Sequence, residues 1–437
     1  MSAEKPNSAD VVVVGGGFAG LVAARELRAM GRSALVLEAR ERLGGRVWTE
    51  ERLGHRLELG GTWVHWRQPH VWSELTRYGI GIVRSPEVPT AGWAGADEVQ
   101  WLDVDGFFGL LDAGQRRSIE DAREVFPLPH DPFANADRVD ELDGTSMAQR
   151  LRDLDLPEPE YLINHTMWSM HFNAPCDEGG LTQGLRWAAL GDWDWLSLLE
   201  TCATYKLQGG MRRLIDRIAA DAAADVRLGT PVAAVEQGED GVIVRSPDGT
   251  EYTGRAAIVT VPLNVLADVT FEPALAPETR AFAQERQASR GFKSWIRVRG
   301  KLEPMLALAA PPSPLSLIQT EYWDADSTTL LAFGFEGGAL ELDDPGAVQS
   351  ALRRLLPDAQ VEDCTGHDWL TDPYAKGAWA MLRPGQLTSY VRSAQQPHGR
   401  VLLAGSDLAR GWAGFVDGAI ETGLRSAADA NALLATS

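Results

Sequence analysis

Residues 10–20, DVVVVGGGFAG, constrain the fold more than any other stretch of the chain. Four consecutive valines suit a strand buried on both faces, and the run stops at a glycine cluster. The following FAGLVAARELRAMG sets Leu21, Ala24, Leu27 and Ala29 near helical spacing, with Gly31 as a stop signal, and SALVLEA predicts a second buried strand. Gly15, Gly17 and Gly20 fit GxGxxG. In that pattern the first glycine makes the tight turn, the second admits a pyrophosphate against the backbone, and the third lets helix and strand pack closely. Glu38 lies eighteen residues beyond Gly20, at the tip of the second strand, where a carboxylate accepts hydrogen bonds from ribose hydroxyls. A βαβ unit of this kind predicts a bound dinucleotide, its pyrophosphate on the helix N-terminus. Glu38 argues against a 2′-phosphate and hence against NADP, while these residues alone leave NAD and FAD both open.

The rest of the composition narrows the class. At 437 residues the chain is long enough for two ordinary domains, and 44% hydrophobic with 23% charged residues is a globular balance. A net charge of −20 repels phosphate backbones and anionic lipid, so nucleic acid and membrane surfaces are not expected partners. Cys176, Cys202 and Cys364 are widely spaced with no CxxC pair, which predicts neither disulfides nor a thiolate zinc site and suits a reducing cytoplasm. The polar opening MSAEKPNSAD predicts no export signal, and no run of eighteen apolar residues occurs. HExxH and GxSxG are absent and the histidines are scattered, so no metal site is expected.

Beyond the βαβ unit, EARERLGGR at 38–46 resembles the signature of the flavin-containing amine oxidases, which bind FAD. Further similar segments are ELGGTWVHW (58–66), YKLQGGMRRLIDRIA (205–219), AAIVTVPLNVL (256–266) and VLLAGSDLARGWAGFVDGAIETGLRSA (401–427). Between them, VRLGTPVAAVEQ and GVIVRSPDG read as strand and hairpin. The resemblance implies an α/β fold with a Rossmann-like, GR2-type FAD domain, discontinuous over 9–83, 204–291 and 381–437. An α+β substrate domain would be inserted at 84–203 and 292–380, helical in the first insertion and sheet-like in the second, where KSWIRVRG and TTLLAFGF alternate. The residues it implies for FAD are Gly15, Gly17, Phe18, Ala19, Gly20, Glu38, Ala39, Arg40, Gly45 and Arg46 at the nucleotide end. Gly60, Gly61, Thr62 and Trp63 would lie near the isoalloxazine, Val232 would meet the adenine end through its backbone, and Ser406, Asp407 and Val416 would complete the site. Asp407 is shorter than the glutamate often found at its place, and Ala378 stands where some members carry a tethering cysteine, so the flavin is expected to be noncovalent.

The same resemblance supplies the chemistry: a neutral amine gives a hydride from its α-carbon to flavin N5, and the resulting imine or iminium is hydrolysed. Only five of the 41 basic residues are lysines, and Lys293 matches the lysine that holds a water against N5. Trp379 and Phe415 match the aromatic cage that orients the amine, where many amine oxidases carry tyrosines. Fifteen tryptophans, clustered in WVHWRQPHVW and LGDWDWLSLL, look most like the nicotine-degrading branch, the nicotine, 6-hydroxynicotine and pseudooxynicotine oxidases, and imply an amine on an aromatic or bulky apolar body. Trp168, Ser169, Trp193, Trp195 and Tyr322 are the expected pocket residues from the insertions. Dioxygen, yielding hydrogen peroxide, or a protein electron carrier is the implied acceptor, with a homodimer left open. An L-amino-acid oxidase, which needs a cation for the substrate carboxylate and here offers Arg67 after the Gly-Gly loop, is the nearest rival; a nonenzymatic flavoprotein is the more distant one.

Overall fold

The computed structural model describes residues 7–95 and 98–435, so the polar opening of the chain up to residue 6 lies outside it. The valine run forms a fully buried strand, Val11–Val14, at the centre of a five-stranded parallel sheet. Its neighbours are Ala256–Val259 on one side and Ala34–Leu37 on the other, with Val401–Leu403 and Asp225–Arg227 at the edges. Both faces of such a sheet must be covered, which is why four of these strands are apolar throughout rather than alternating, the edge strand Asp225–Arg227 being the exception. The helices Phe18–Ala29 and Val416–Ala435 pack against each other beside it. The sheet therefore draws on the two ends and the middle of the sequence.

A seven-stranded mixed sheet runs in the order Val361–His367, Phe292–Arg299, Ser327–Gly334, Leu317–Trp323, Met305–Ala309, Thr90–Ala94, Gln100–Asp103. KSWIRVRG and TTLLAFGF are the antiparallel pair that sets Lys293 opposite Phe333. Helices Val104–Ser118, Glu158–Phe172, Leu181–Leu190 and Trp195–Ala203 come from the other insertion. The hairpin expected at Pro247, Asp248 and Gly249 joins Val242–Arg245 to Glu251–Gly254. No helix among the described residues is long and apolar enough to cross a membrane.

One buried ion pair fixes the first helix. Arg25, 3% exposed, makes a two-pronged contact with Glu74, 2% exposed, on helix Pro69–Tyr78, and donates to the Tyr78 hydroxyl at 3.0 Å. Removing Glu74 takes away the buried partner and leaves Arg25 only the more exposed Glu26 carboxylate at 2.8 Å and the Tyr78 hydroxyl, and breaking a buried pair costs up to about 3–5 kcal/mol. Glu74→Ala should therefore lower the denaturant midpoint of the flavin-loaded protein by an amount in that range, measured by flavin release and circular dichroism together.

Candidate active site

The loops at the carboxyl ends of the parallel strands and one face of the mixed sheet enclose a continuous cavity of about 1150 Å³. At its nucleotide end the glycine turn brings Gly15, Gly17, Phe18 and Ala19 to the wall. Gly20 does not line it: a Cβ there would stand 2.0 Å from the carbonyl oxygen of Gly15, so the helix can start this close to the strand only on glycine. Gly17 caps the helix with no side-chain hydrogen bond and no carboxylate follows in the first turn, leaving amide groups and the positive end of the dipole facing the cavity. Glu38, 4% exposed, is held by the amides of Gly16 at 2.7 Å and Arg40 at 2.8 Å. Ala39, Arg40, Gly45 and Arg46 continue the wall, with Val232 across from them. Arg40 is paired with Asp372 at 2.5 Å. Burial opposes ionisation of Asp372, but hydrogen bonds from His367 and Arg40 outweigh it and hold the carboxyl well below the usual carboxylate range. This cradle of free amides, a pinned carboxylate and cavity-lining arginines fits the pyrophosphate and ribose of a dinucleotide.

Further in, Arg46 donates to the carbonyl of Ala378 at 2.8 Å and to the Ser406 hydroxyl at 2.9 Å, and is ion-paired with Asp407. Asp407 does not reach the cavity wall; its other oxygen accepts from the Leu263 amide at 2.9 Å, so it acts through Arg46. Ser406 and Val416 do line the cavity, as do Gly60, Gly61, Thr62 and Trp63. The Gly-Gly loop is anchored from behind, because the indoles of Trp295 and Trp369 donate to the carbonyls of Glu58 and Leu59 at 3.2 and 2.9 Å.

Lys293, only 4% exposed, extends from the first residues of strand Phe292–Arg299 beneath that loop. Its Nζ donates to Thr62 Oγ1 at 2.5 Å and the Gly60 carbonyl at 3.2 Å, among the rings of Trp63, Trp295 and Phe333. Burial pushes its pKa down to about 7, against the attraction of Glu58 and reinforced by Lys206. Burial likewise raises Glu58, which the Met211 amide and Thr49 hydroxyl partly offset. Lys206 itself is ion-paired with Glu321 and lowered by burial to about 8.

The aromatic wall comes from two segments that touch at Gly414, where a φ of +85° and a Cβ position 2.9 Å from the Ala380 carbonyl call for glycine. Trp379 donates its indole N–H to the His171 carbonyl at 3.1 Å and meets Phe333 edge-on, while Phe415 packs on Trp187 and Trp412. Both rings line the cavity, and so does Ala378.

The residues expected from the insertions are elsewhere. Trp168 is fully buried, stacked on Phe172 with its indole bonded to Ser118. Ser169 donates to the His165 carbonyl and accepts from the Cys176 amide. The helix expected to contribute does so, but through Met167, Met170 and His171, spaced i, i+3 and i+4, whereas Trp168 and Ser169 face the core. Trp193 lies under Arg123 and bonds the Phe126 carbonyl, and Trp195 bonds Asp112. Tyr322 sits beyond Trp295 on the sheet, stacked on His55, and Leu317 and Gln319 of its strand line the cavity instead. Residues the sequence did not single out include Trp187, Phe333, Phe107 and Phe108. The signal available for Phe333 was its alternating strand; Trp187 carried none.

Residues 18–431 match the family model described as flavin containing amine oxidoreductase. The chain is 36% identical to a pseudooxynicotine dehydrogenase of a Pseudomonas species, covering 95% of this chain and 84% of that protein. It is 36% identical to a nicotine dehydrogenase of Pseudomonas putida (97% and 89%) and 30% identical to an (S)-6-hydroxynicotine oxidase of Paenarthrobacter nicotinovorans (94% and 97%). Among solved structures, a putrescine oxidase bound to putrescine superposes with a TM-score of 0.84 at 25% identity, covering 97% of this chain and 99% of that one. The chain belongs to the flavin-containing amine oxidoreductases, and its cofactor is FAD.

Proposed function

We propose that this amine oxidase acts on a bulky, largely apolar amine of the nicotine type, and that the residues below carry the reaction. One observation carries the substrate class. Every charged side chain lining the cavity except Lys293 already has partners: Arg40 pairs with Asp372, Arg46 with Asp407, Arg84 with Glu87 and Lys376 with Asp268, while backbone amides hold the Glu38 carboxylate. What remains is mainly apolar and aromatic, from Phe107, Phe108, Leu199, Leu331 and Phe333 to the methionines of helix Glu158–Phe172, with a few uncharged polar side chains such as His171 and Gln319. Such a chamber desolvates an amine and favours its neutral form, the form able to release a hydride. Relatives named for nicotine and pseudooxynicotine support the same class.

Bound FAD supplies the two-electron acceptor. In our reading the glycine turn with Phe18 and Ala19 holds its pyrophosphate, Glu38, Ala39 and Arg40 the ribose, and Val232 the adenine. Gly45, Arg46, Ser406, Asp407 and Val416 hold the remainder of the cofactor, with Gly60, Gly61, Thr62 and Trp63 beside its ring. Ala378 leaves the attachment noncovalent. Trp379 and Phe415 orient the amine nitrogen and α-carbon, Lys293 orders water, and water hydrolyses the imine released from the substrate. The domain division at 9–83, 204–291 and 381–437 against 84–203 and 292–380 belongs to the same reading, and the five parallel strands and seven mixed strands support it. A cytoplasmic location rests on the free thiols of Cys176, Cys202 and Cys364. We assign dioxygen as acceptor, giving hydrogen peroxide, with a protein electron carrier as the alternative that relatives named dehydrogenases favour.

The amino-acid oxidase reading lacks its cation. Arg67 is off the cavity, held by Asp192 at 3.2 Å and Ser197 at 3.1 Å. Steady-state turnover with a panel of cyclic aryl amines and L-amino acids, with dioxygen and with an artificial carrier, tests the assignment; turnover on amino acids alone would overturn it. Within this reading, Trp379→Ala should cut kcat/KM for the best amine by about ten- to a hundredfold while the flavin stays bound, because orientation is lost but the cradle is not. Loss of bound flavin in that variant would instead make Trp379 a core residue.

A further inference from the structure

The substrate end of the cavity is mostly apolar, yet polar groups without a hydrogen-bond partner among the described residues open into it: the side chains of His171 and Gln319, and the buried Asn173 Oδ1 and Trp187 Nε1. A buried polar group without a partner is costly unless water or a ligand satisfies it. His171 is the best placed of these to meet a substrate held at the aromatic wall. It occupies the last turn of helix Glu158–Phe172, its carbonyl takes the indole N–H of Trp379 at 3.1 Å, and the ring of Trp168 backs its imidazole at 5.2 Å. Main chain and ring are thus fixed relative to the aromatic wall. No ion pair reaches it, and burial alone pushes its pKa down to about 4, so at neutral pH it offers one N–H donor and one nitrogen acceptor.

We infer that His171 is the specificity-determining residue of the chamber, its imidazole hydrogen-bonding a neutral polar atom, such as a pyridine nitrogen, carbonyl or hydroxyl, carried by the apolar body of the amine. This rests on the amine reading above and deepens it. Met167 and Met170 pack the apolar body on the same helix face, while the imidazole selects among bodies of equal shape by the atom they present. A site with a hydrogen-bonding group rejects an analogue that leaves it unpaired.

The test uses holoenzyme and two isosteric amines, an N-methylpyrrolidine bearing a 3-pyridyl ring and its phenyl counterpart. Anaerobic bleaching of the bound flavin gives a rate and a half-saturation for each. Wild type should favour the pyridyl amine by roughly tenfold in the ratio of the two constants, the scale of one neutral hydrogen bond. His171→Leu should bring that preference to about one while bleaching with the phenyl amine persists, and His171→Asn should restore part of it. Equal constants in wild type, or a preference that survives His171→Leu, would overturn the inference and leave the amine reading standing. A preference abolished by Gln319→Leu and kept in His171→Leu would also overturn it. Wild type that bleaches with neither amine would bring down the substrate reading, and this inference with it.

Discussion

Gly20→Ala should yield protein with less than about a tenth of the wild-type flavin content, because one methyl group cannot be placed where the fold needs none. Its Cβ would lie 2.0 Å from the Gly15 carbonyl oxygen and 3.1 Å from a Val13 methyl. The first is backbone of the turn that cradles the cofactor, and a strand buried on both faces cannot move to relieve it. The helix must shift instead, carrying Gly17, Phe18 and Ala19 away from the cavity wall. Overpacking of this kind typically costs about 1–3 kcal/mol, but flavin content is the sensitive readout, since binding depends on the amides the shift displaces. Gly109→Ala is the control. A Cβ there meets nothing within 4 Å in the middle of helix Val104–Ser118, so that variant should retain its flavin and gain up to about 1 kcal/mol in stability. Full flavin content in Gly20→Ala would show that the close approach is not what the third glycine provides.

The second large effect is at Lys293. In Lys293→Met the flavin should stay bound and be reduced by amine, but its reoxidation by dioxygen should slow by about a hundredfold or more, the scale of a positioned proton or charge. A buried ammonium stabilises negative charge as it develops on dioxygen, and in a low-dielectric pocket that effect is large. The pH dependence follows from the lowered pKa. With a value of about 7, the cation predominates below that pH and is lost above it. Wild-type reoxidation should therefore slow as pH rises through about 7, and the Met variant should show no such step. Unchanged reoxidation in the variant, measured by stopped flow after anaerobic reduction, would remove Lys293 from the chemistry.

The sequence disclosed the cofactor end of this molecule far better than the substrate end, and the reason is physical. A glycine turn, a buried valine strand and an acidic strand tip have backbone causes that act locally, so Gly15, Gly17 and Glu38 could be assigned from spacing. Lys293, Trp379 and Phe415, drawn from three distant segments by family likeness, do meet around one cavity. The chamber walls depend on helix rotation, which an irregular aromatic pattern does not reveal. On Glu158–Phe172 a step of one residue turns a side chain by about 100°, which is the difference between Trp168 in the core and Met167 on the cavity, and between Ser169 and Met170. On Leu317–Trp323 a register irregularity between Thr320 and Tyr322 breaks the simple alternation, and Tyr322 ends beyond Trp295. Trp187 and Phe333 owe their places to packing against Phe415 and Trp379, contacts between residues far apart in the chain.

The central claim is that an amine held between Trp379 and Phe415 surrenders two electrons to FAD in this cavity. Mixing the yellow holoenzyme with a cyclic aryl amine under strictly anaerobic conditions tests it without assuming which acceptor follows. The account predicts complete bleaching with stoichiometric loss of amine and release of its carbonyl or imine product. Flavin that keeps its colour with every amine offered, or that bleaches only with substrates bearing a carboxylate, would contradict it.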